Sequence, residues 1–229
     1  MNNRRKDVLK FFNNTNNYLH KTFGLKVRKK IVYDLLGNLH DKEILDVGCG
    51  NGVISLEYAK KNNLTMIDIS AKMLELAREK AELLHINNIN YIESSIEKFD
   101  SKKKYDVIIA VGLLSHVTSI HSTIVQLNSL LKKNGNLIIQ FSDYNSIITK
   151  INILFSRRNY VVNKSTKENM FKIIGSLEYS LKNEVKYSIL LPGMGRLSDK
   201  ILYNITMLTY QNPYVSKYGT DFIWNLKKK

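Results

Sequence analysis

The chain has 229 residues, 44% hydrophobic and 10% aromatic, enough for one domain with a substantial core and too apolar for a disordered chain. A single cysteine excludes an internal disulfide framework, and no apolar run approaches the ~18 residues that span a bilayer, so a cytoplasmic protein is expected. The net charge of +15 is uneven: residues 1–43 carry +6, residues 44–143 carry none, and residues 144–229 carry +9.

The first expected element is a basic helix over 25–37. A short apolar strand over 43–47 then runs into Gly48-Cys49-Gly50-Asn51-Gly52. A helix over 52–62 follows, with Val53, Leu56 and Ala59 on one face. Residues 64–68 read as a second strand. Ser70 caps a helix over 71–84, whose Met73, Leu74, Ala77, Ala81 and Leu84 form an i, i+3/i+4 stripe. Residues 90–93 and 105–110 read as strands, the latter apolar throughout, as a strand buried on both faces should be. A helix over 120–132 leads to a strand over 136–141, with Gly135 at the left-handed position that ends a helix. Beyond Asp143 the regularity stops. Residues 144–164 read as irregular and basic, 165–181 as helix, 184–191 as strand, 197–210 as helix and 219–226 as a last strand. Strands and helices alternating at this spacing imply βαβ units and a parallel sheet.

The strongest chemical signal is Ile44-Leu45-Asp46-Val47-Gly48-Cys49-Gly50-Asn51-Gly52. Glycines let the backbone turn sharply and approach a ligand closely at the end of a strand. The spacing is G-x-G-x-G; Val53 stands where a dinucleotide fingerprint wants glycine or alanine, and no G-K-[ST] follows to make a P-loop.

With this motif the chain resembles the class I S-adenosylmethionine-dependent methyltransferases, particularly the small-molecule branch typified by the ubiquinone-pathway enzymes. Asp46, Gly48, Gly50 and Gly52 match the family's D-x-G-x-G-x-G. Met66-Ile67-Asp68-Ile69-Ser70-Ala71-Lys72-Met73-Leu74 is similar to its G-x-D-x-S-x-x-M-L. Residues 104–117 look like its fourth-strand segment, and residues 131–139 resemble its L-K-P-G-G-x-L-x-I. The resemblance covers about residues 40–142. It implies a doubly wound, Rossmann-like α/β fold: a mostly parallel seven-stranded sheet, helices on both faces, an antiparallel last strand and a small substrate cap. It further implies a helical lid over 1–40, a cofactor core over 41–143, and the cap with the last strands over 144–229.

The implied cofactor is S-adenosyl-L-methionine, with S-adenosyl-L-homocysteine as product. Asp68 would accept from the ribose hydroxyls, and Ile69 and Met73 would pack on the adenine. Asp46, Gly48, Cys49 and Gly50 would form the methionine loop, and Ser95, Ile96 and Val111 would complete the pocket. The family usually ends its third strand with G-D-A; Ser94-Ser95-Ile96 stands here, so Ser95 offers a neutral acceptor in place of a carboxylate. Rival readings remain: Asp46 as a turn cap, Met73 as helix core, and Cys49 as a small packing residue. Phe11, Phe12, Tyr18 and Phe23 would cover the cofactor from the lid. Arg28 would reach its carboxylate, or else belong to a solvated basic face.

His116, in the loop after the fourth strand, is the candidate general base, with a structural role as its rival. His20, His40, His85 and His121 fall on expected surfaces. No clustered Cys, His and carboxylate spacing calls for a metal. The basic flanks, with Arg157, Arg158, Lys164, Lys167 and Arg196, suit an anionic small molecule, an anionic lipid surface or RNA. A small-molecule acceptor methylated on O, N or C is the leading expectation. An RNA methyltransferase is the alternative; the N-P-P-Y or D-P-P-Y tetrapeptide is missing, with Val111-Gly112-Leu113-Leu114 in its place. A non-catalytic cofactor-binding or membrane-peripheral protein, using the basic flanks and the 197–210 helix, is the third.

Overall fold

The computed structural model describes residues 8–10, 12–13, 22–155 and 163–229. Tyr18, Phe11, His20, Arg157 and Arg158 lie outside them. The elements run α1 (Phe23–Leu36), β1 (Glu43–Val47), a 3-10 turn (Leu56–Lys60), β2 (Asn63–Asp68), α2 (Ala71–Leu83), β3 (Ile89–Glu93) and β4 (Tyr105–Ala110). There follow α3 (Ile120–Leu130), β5 (Leu131–Ser142), α4 (Ile147–Leu154), α5 (Lys167–Gly175), β6 (Tyr179–Tyr187), α6 (Asp199–Gln211), α7 (Pro213–Ser216) and β7 (Asp221–Lys228).

The seven strands form one sheet in the order β3-β2-β1-β4-β5-β7-β6. β1 to β5 are mutually parallel, and β7 enters antiparallel between β5 and β6. Both faces are covered because each central strand is apolar on both sides. Leu45, Ile108, Ile139 and Trp224 pack with α3 and α5 on one face. Ile44, Ile109, Ile138 and Ile223 pack with α1, α2 and α6 on the other. The alternation follows from the period of two along a strand. Truncating a fully buried residue such as Ile109 to alanine would cost about 2–5 kcal/mol.

α1 is anchored at its start: Thr22 N–H and Oγ and Phe23 N–H all donate to Asp199 Oδ2, at 2.8, 3.1 and 3.2 Å. This ties α1 to α6 and lays Arg28 over the carboxyl ends of the strands. The strand order reverses between β1 and β4, and an open α/β sheet offers its crevice at that switch point. The Ser70 cap is present, its Oγ accepting from Met73 N–H at 3.2 Å.

Several local expectations are corrected. The 52–62 helix is only the 3-10 turn Leu56–Lys60, because Asn51, Gly52 and Ser55 favour turns over a helical start. The 120–132 helix ends at Leu130, and Asn134 rather than Gly135 takes the left-handed φ of 60°. Asparagine tolerates that region. Gly135 instead serves a close approach, since a Cβ there would stand 2.9 Å from Lys132 O. The 144–164 stretch contains α4. The 165–181 helix stops at Gly175 because β6 begins at Tyr179, where it pairs with Lys228. β6 also ends at Tyr187, short of the expected 191, and β7 runs on to Lys228. Leu84 is 43% exposed and leaves the buried stripe of α2. No helix among the described residues is long and apolar enough to cross a membrane.

Candidate active site

The loop after β1 is shaped by hydrogen bonds to β2. Gly48 N–H and Cys49 N–H both donate to Ile67 O, at 2.8 and 3.2 Å. Gly50 N–H donates to Asp68 Oδ2 and Ser70 N–H to Asp68 Oδ1, each at 2.9 Å. One carboxylate therefore joins the glycine loop to the start of α2. Burial pushes the Asp68 carboxyl above its ordinary pKa, against the opposing effect of amides of Ser70, Gly50 and Ile69. Gly48 has φ +67, and a Cβ on it would stand 3.0 Å from Leu113 Cδ1. Side chains are thus excluded where the loop faces the switch point.

A cleft of about 240 Å³ opens there. Its wall holds Arg28, Gly48, Gly50, Asp68, Ile69, Ser95, Ile96, Val111 and His116 from the sequence-derived set, with Val8 and Phe12 from the N-terminal segment. The Ser95 hydroxyl is buried and has no hydrogen-bond partner among the described residues. Asn13 reaches the start of α2, its Oδ1 accepting from Ser70 Oγ at 2.6 Å.

Asp46, Cys49 and Met73 lie behind this wall rather than on it. Asp46 is buried on the apolar strand β1; burial pushes its pKa up to about 7, the nearby Ser55 hydroxyl lowers it, and the charge of Asp68 raises it. Burial, then the charges of Asp68 and Asp46, hold the Cys49 thiol well above its ordinary pKa, which makes it a poor nucleophile. Met73 is fully buried in α2.

A second cavity, of about 270 Å³, shares Arg28, Gly112 and His116 with the first. Its remaining wall includes Ser115, Gln140, Ser142, Tyr144, Asn163, Ser165 and Asp221. The two spaces meet at the loop after β4. His116 is half-buried there, with the Phe12 ring edge-on at 5.4 Å. Gly112 has φ +84, and its missing Cβ would be 3.3 Å from an Arg28 terminal nitrogen. Arg28 Nε donates to Tyr187 Oη at 3.2 Å. Burial raises the Tyr187 phenol to about 12, against Arg28, which lowers it, while Asp221 raises it.

His40, His85 and His121 are exposed. Lys164 and Arg196 are exposed and Lys167 pairs with Glu184 at 2.7 Å; none of the three lines either cavity. Sequence reading missed Gln140, Ser142, Tyr187 and Asp221. One signal was available: Gln140 interrupts the apolar run from Leu137 to Phe141.

A methyltransferase-domain family model matches residues 39–190, which contain the glycine loop, Asp68 and the loop after β4. The chain belongs to the class I S-adenosylmethionine-dependent methyltransferases. Relatives of this methyltransferase include a ubiquinone biosynthesis O-methyltransferase from Rickettsia akari (strain Hartford), 34% identical over 59% of this chain and 59% of the relative. Another is the protein of the same name from Glaesserella parasuis serovar 5, 32% identical over 68% of this chain and 60% of the relative. The match thus spans less than two thirds of the length of these curated relatives. Magnesium protoporphyrin IX methyltransferase from Synechocystis PCC 6803, solved with bound S-adenosylhomocysteine, superposes with a TM-score of 0.67 at 19% identity, covering 99% of this chain and 100% of that one. N-methyltransferase NodS from Bradyrhizobium japonicum WM9 does so with 0.68 at 13% identity, covering 99% of each chain. At such identities the likeness is one of fold.

Proposed function

We propose that this methyltransferase carries a methyl group from S-adenosyl-L-methionine to a small-molecule acceptor, on oxygen, nitrogen or carbon. The observation that carries the reading is the meeting of two cavities at Gly112 and His116, one walled by the glycine loop and Asp68, the other polar. When bound, the cofactor supplies an electrophilic methyl group open to in-line attack. In this reading Asp68 accepts from the ribose hydroxyls, and the Ser95 hydroxyl, without a partner among the described residues, meets the adenine edge. Ile69, Ile96 and Val111 cover the ring, and Arg28 holds the carboxylate. Val8 and Phe12 close the mouth, residues 41–143 hold the cofactor, and Tyr144, Asn163, Ser165 and Asp221 shape the acceptor side.

Both reactants held across one shared wall turn a bimolecular encounter into an effectively unimolecular step. His116 stands at that wall and takes the proton of a hydroxyl or carbon acceptor. The names of the relatives from Rickettsia and Glaesserella make an oxygen acceptor the first to test.

The test is isothermal titration with S-adenosylhomocysteine, then transfer of tritiated methyl groups to extracted small molecules and to RNA. Wild type is expected to bind and Asp68→Ala to lose at least tenfold in affinity. Label is expected in small molecules, and His116→Asn should slow transfer by about 10²-fold or more at unchanged cofactor affinity. Label in RNA alone would replace the acceptor class. No cofactor binding by wild type would end the reading.

A further inference from the structure

The second cavity is lined mostly by polar side chains. Ser142 and Tyr187 both pair with Asp221 across β7, in the β5–β7 and β6–β7 registers. Gln140 lies two residues before Ser142, so all four side chains share one sheet face. Deeper on that face stand Ile138 and Ile223, which are fully buried. The face thus turns from apolar to polar where the strands end and the cavity opens.

Asp221 is half-buried there and belongs to none of the ion pairs among the described residues. Its Oδ1 accepts from Ser142 Oγ and from Gln140 Nε2, the latter at 3.4 Å. An ionised carboxylate has two oxygens and about four acceptor sites, and it cannot donate. A group that meets it from the cavity must therefore be a donor.

Among the described lining residues Arg28 is the arginine, and Tyr187 holds it at the boundary with the first cleft. In the proposed function that guanidinium faces the cofactor carboxylate, which leaves Asp221 as a carboxylate without an ion pair among the described residues of the acceptor wall. Of the basic flanks, Lys164 and Arg196 are exposed and outside the lining, and Arg157 and Arg158 lie outside the described residues.

We propose that Asp221 selects the acceptor: the second cavity takes compact polar molecules that present a hydroxyl or ammonium donor to this carboxylate, and disfavours anions. The inference rests on the assignment of the first cleft to the cofactor.

The test uses three probes of one size and shape on protein saturated with S-adenosylhomocysteine, followed by NMR titration. Phenethylamine ends in an ammonium, 2-phenylethanol in a hydroxyl and phenylacetate in a carboxylate, and none carries a second polar group. The first two are expected to bind at least tenfold more tightly than the third. Asp221→Asn should weaken phenethylamine at least tenfold and erase its advantage over phenylacetate, with S-adenosylhomocysteine affinity within twofold of wild type. The proposal is overturned if the carboxylate probe binds as well as phenethylamine, if no probe binds, or if Asp221→Asn leaves the order intact. The wild-type order decides by itself should that variant fail to fold. Failure of wild type to bind S-adenosylhomocysteine would remove the functional reading and this inference together; cofactor binding with the wrong probe order removes this inference alone.

Discussion

Arg28 and Tyr187, 159 residues apart in the chain, meet at 3.2 Å, the guanidinium Nε donating to the phenol oxygen. The contact joins the first described helix to the end of β6 and fixes the cation on the wall between two cavities. Hydrogen bonds to charged groups contribute about 1.5–3 kcal/mol, roughly tenfold to a hundredfold in affinity. Arg28→Ala is therefore expected to raise the Kd for S-adenosylhomocysteine by that factor in calorimetry. Tyr187→Phe, which removes only the orienting acceptor, should raise it about threefold. Unchanged affinity in Arg28→Ala would show that the cation serves something other than the cofactor.

Ser95 offers a second handle on the same cleft. Its buried hydroxyl lacks a partner among the described residues, and a carboxylate makes a stronger acceptor than a neutral oxygen. Ser95→Asp is expected to tighten S-adenosylhomocysteine binding by about threefold to tenfold, the difference between a neutral and a charged hydrogen bond. Competition against S-adenosylmethionine in the same titration checks that the effect is on the shared adenosyl part. A weaker or unchanged Kd would place the adenine edge elsewhere.

Gly219 lies against β6 where Tyr187 ends it. A Cβ at this glycine would stand 2.5 Å from Tyr187 O and 2.7 Å from its N, both rigid backbone atoms. Gly219→Ala should cost about 1–3 kcal/mol as an overpacked site. In a chain of this size that corresponds to a fall of about 2–12 °C in Tm, read by calorimetry. Because Tyr187 must shift, the S-adenosylhomocysteine Kd should rise as well, in proportion to the Tyr187→Phe effect. A normal Tm would mean that β6 yields more easily than the packing implies.

Asp46 gives a pH dependence of stability. Burial raises its native pKa to about 7, above the ordinary 3.8. Between those values the native protein holds a proton that the unfolded chain releases, so this group's stabilisation is complete below about pH 4 and falls as pH rises toward 7. The gap sets a ceiling of about 4 kcal/mol. Asp46→Asn, which keeps the shape and removes the titration, should therefore gain stability relative to wild type as pH rises from 4.5 to 7.5. Urea unfolding of both proteins at the two pH values measures the difference. A constant offset across that range would show that Asp46 titrates normally in the native state.

Asp68 and the loop Gly48–Gly52 were legible in sequence because their geometry is local. Three glycines within five residues permit three left-handed φ angles, of 67°, 52° and 73°. An acid at the next strand end then lies within reach of the loop amides. The same locality made the Ser70 cap readable. It failed where distant pairing overrode local pattern. Residues 179–181 lie in β6 because β7 offers them a ladder, although their sequence reads as the end of a helix. Residues 52–55 form turns, although Val53, Leu56 and Ala59 keep helical spacing.

The sequence by itself determined the α/β class and the glycine turn that follows β1, through short-range turn geometry and apolar periodicity. Only the tertiary structure decided that Asp221 sits beside Gln140, Ser142 and Tyr187, and that Arg28 reaches across to them. The physical reason lies in β7. Its side chains must bury Trp224 on one face of the sheet and Ile223 on the other, and that requirement sets its register against β5 and β6. Residues about 80 positions apart are thereby aligned at one strand end, a relationship that no local pattern encodes.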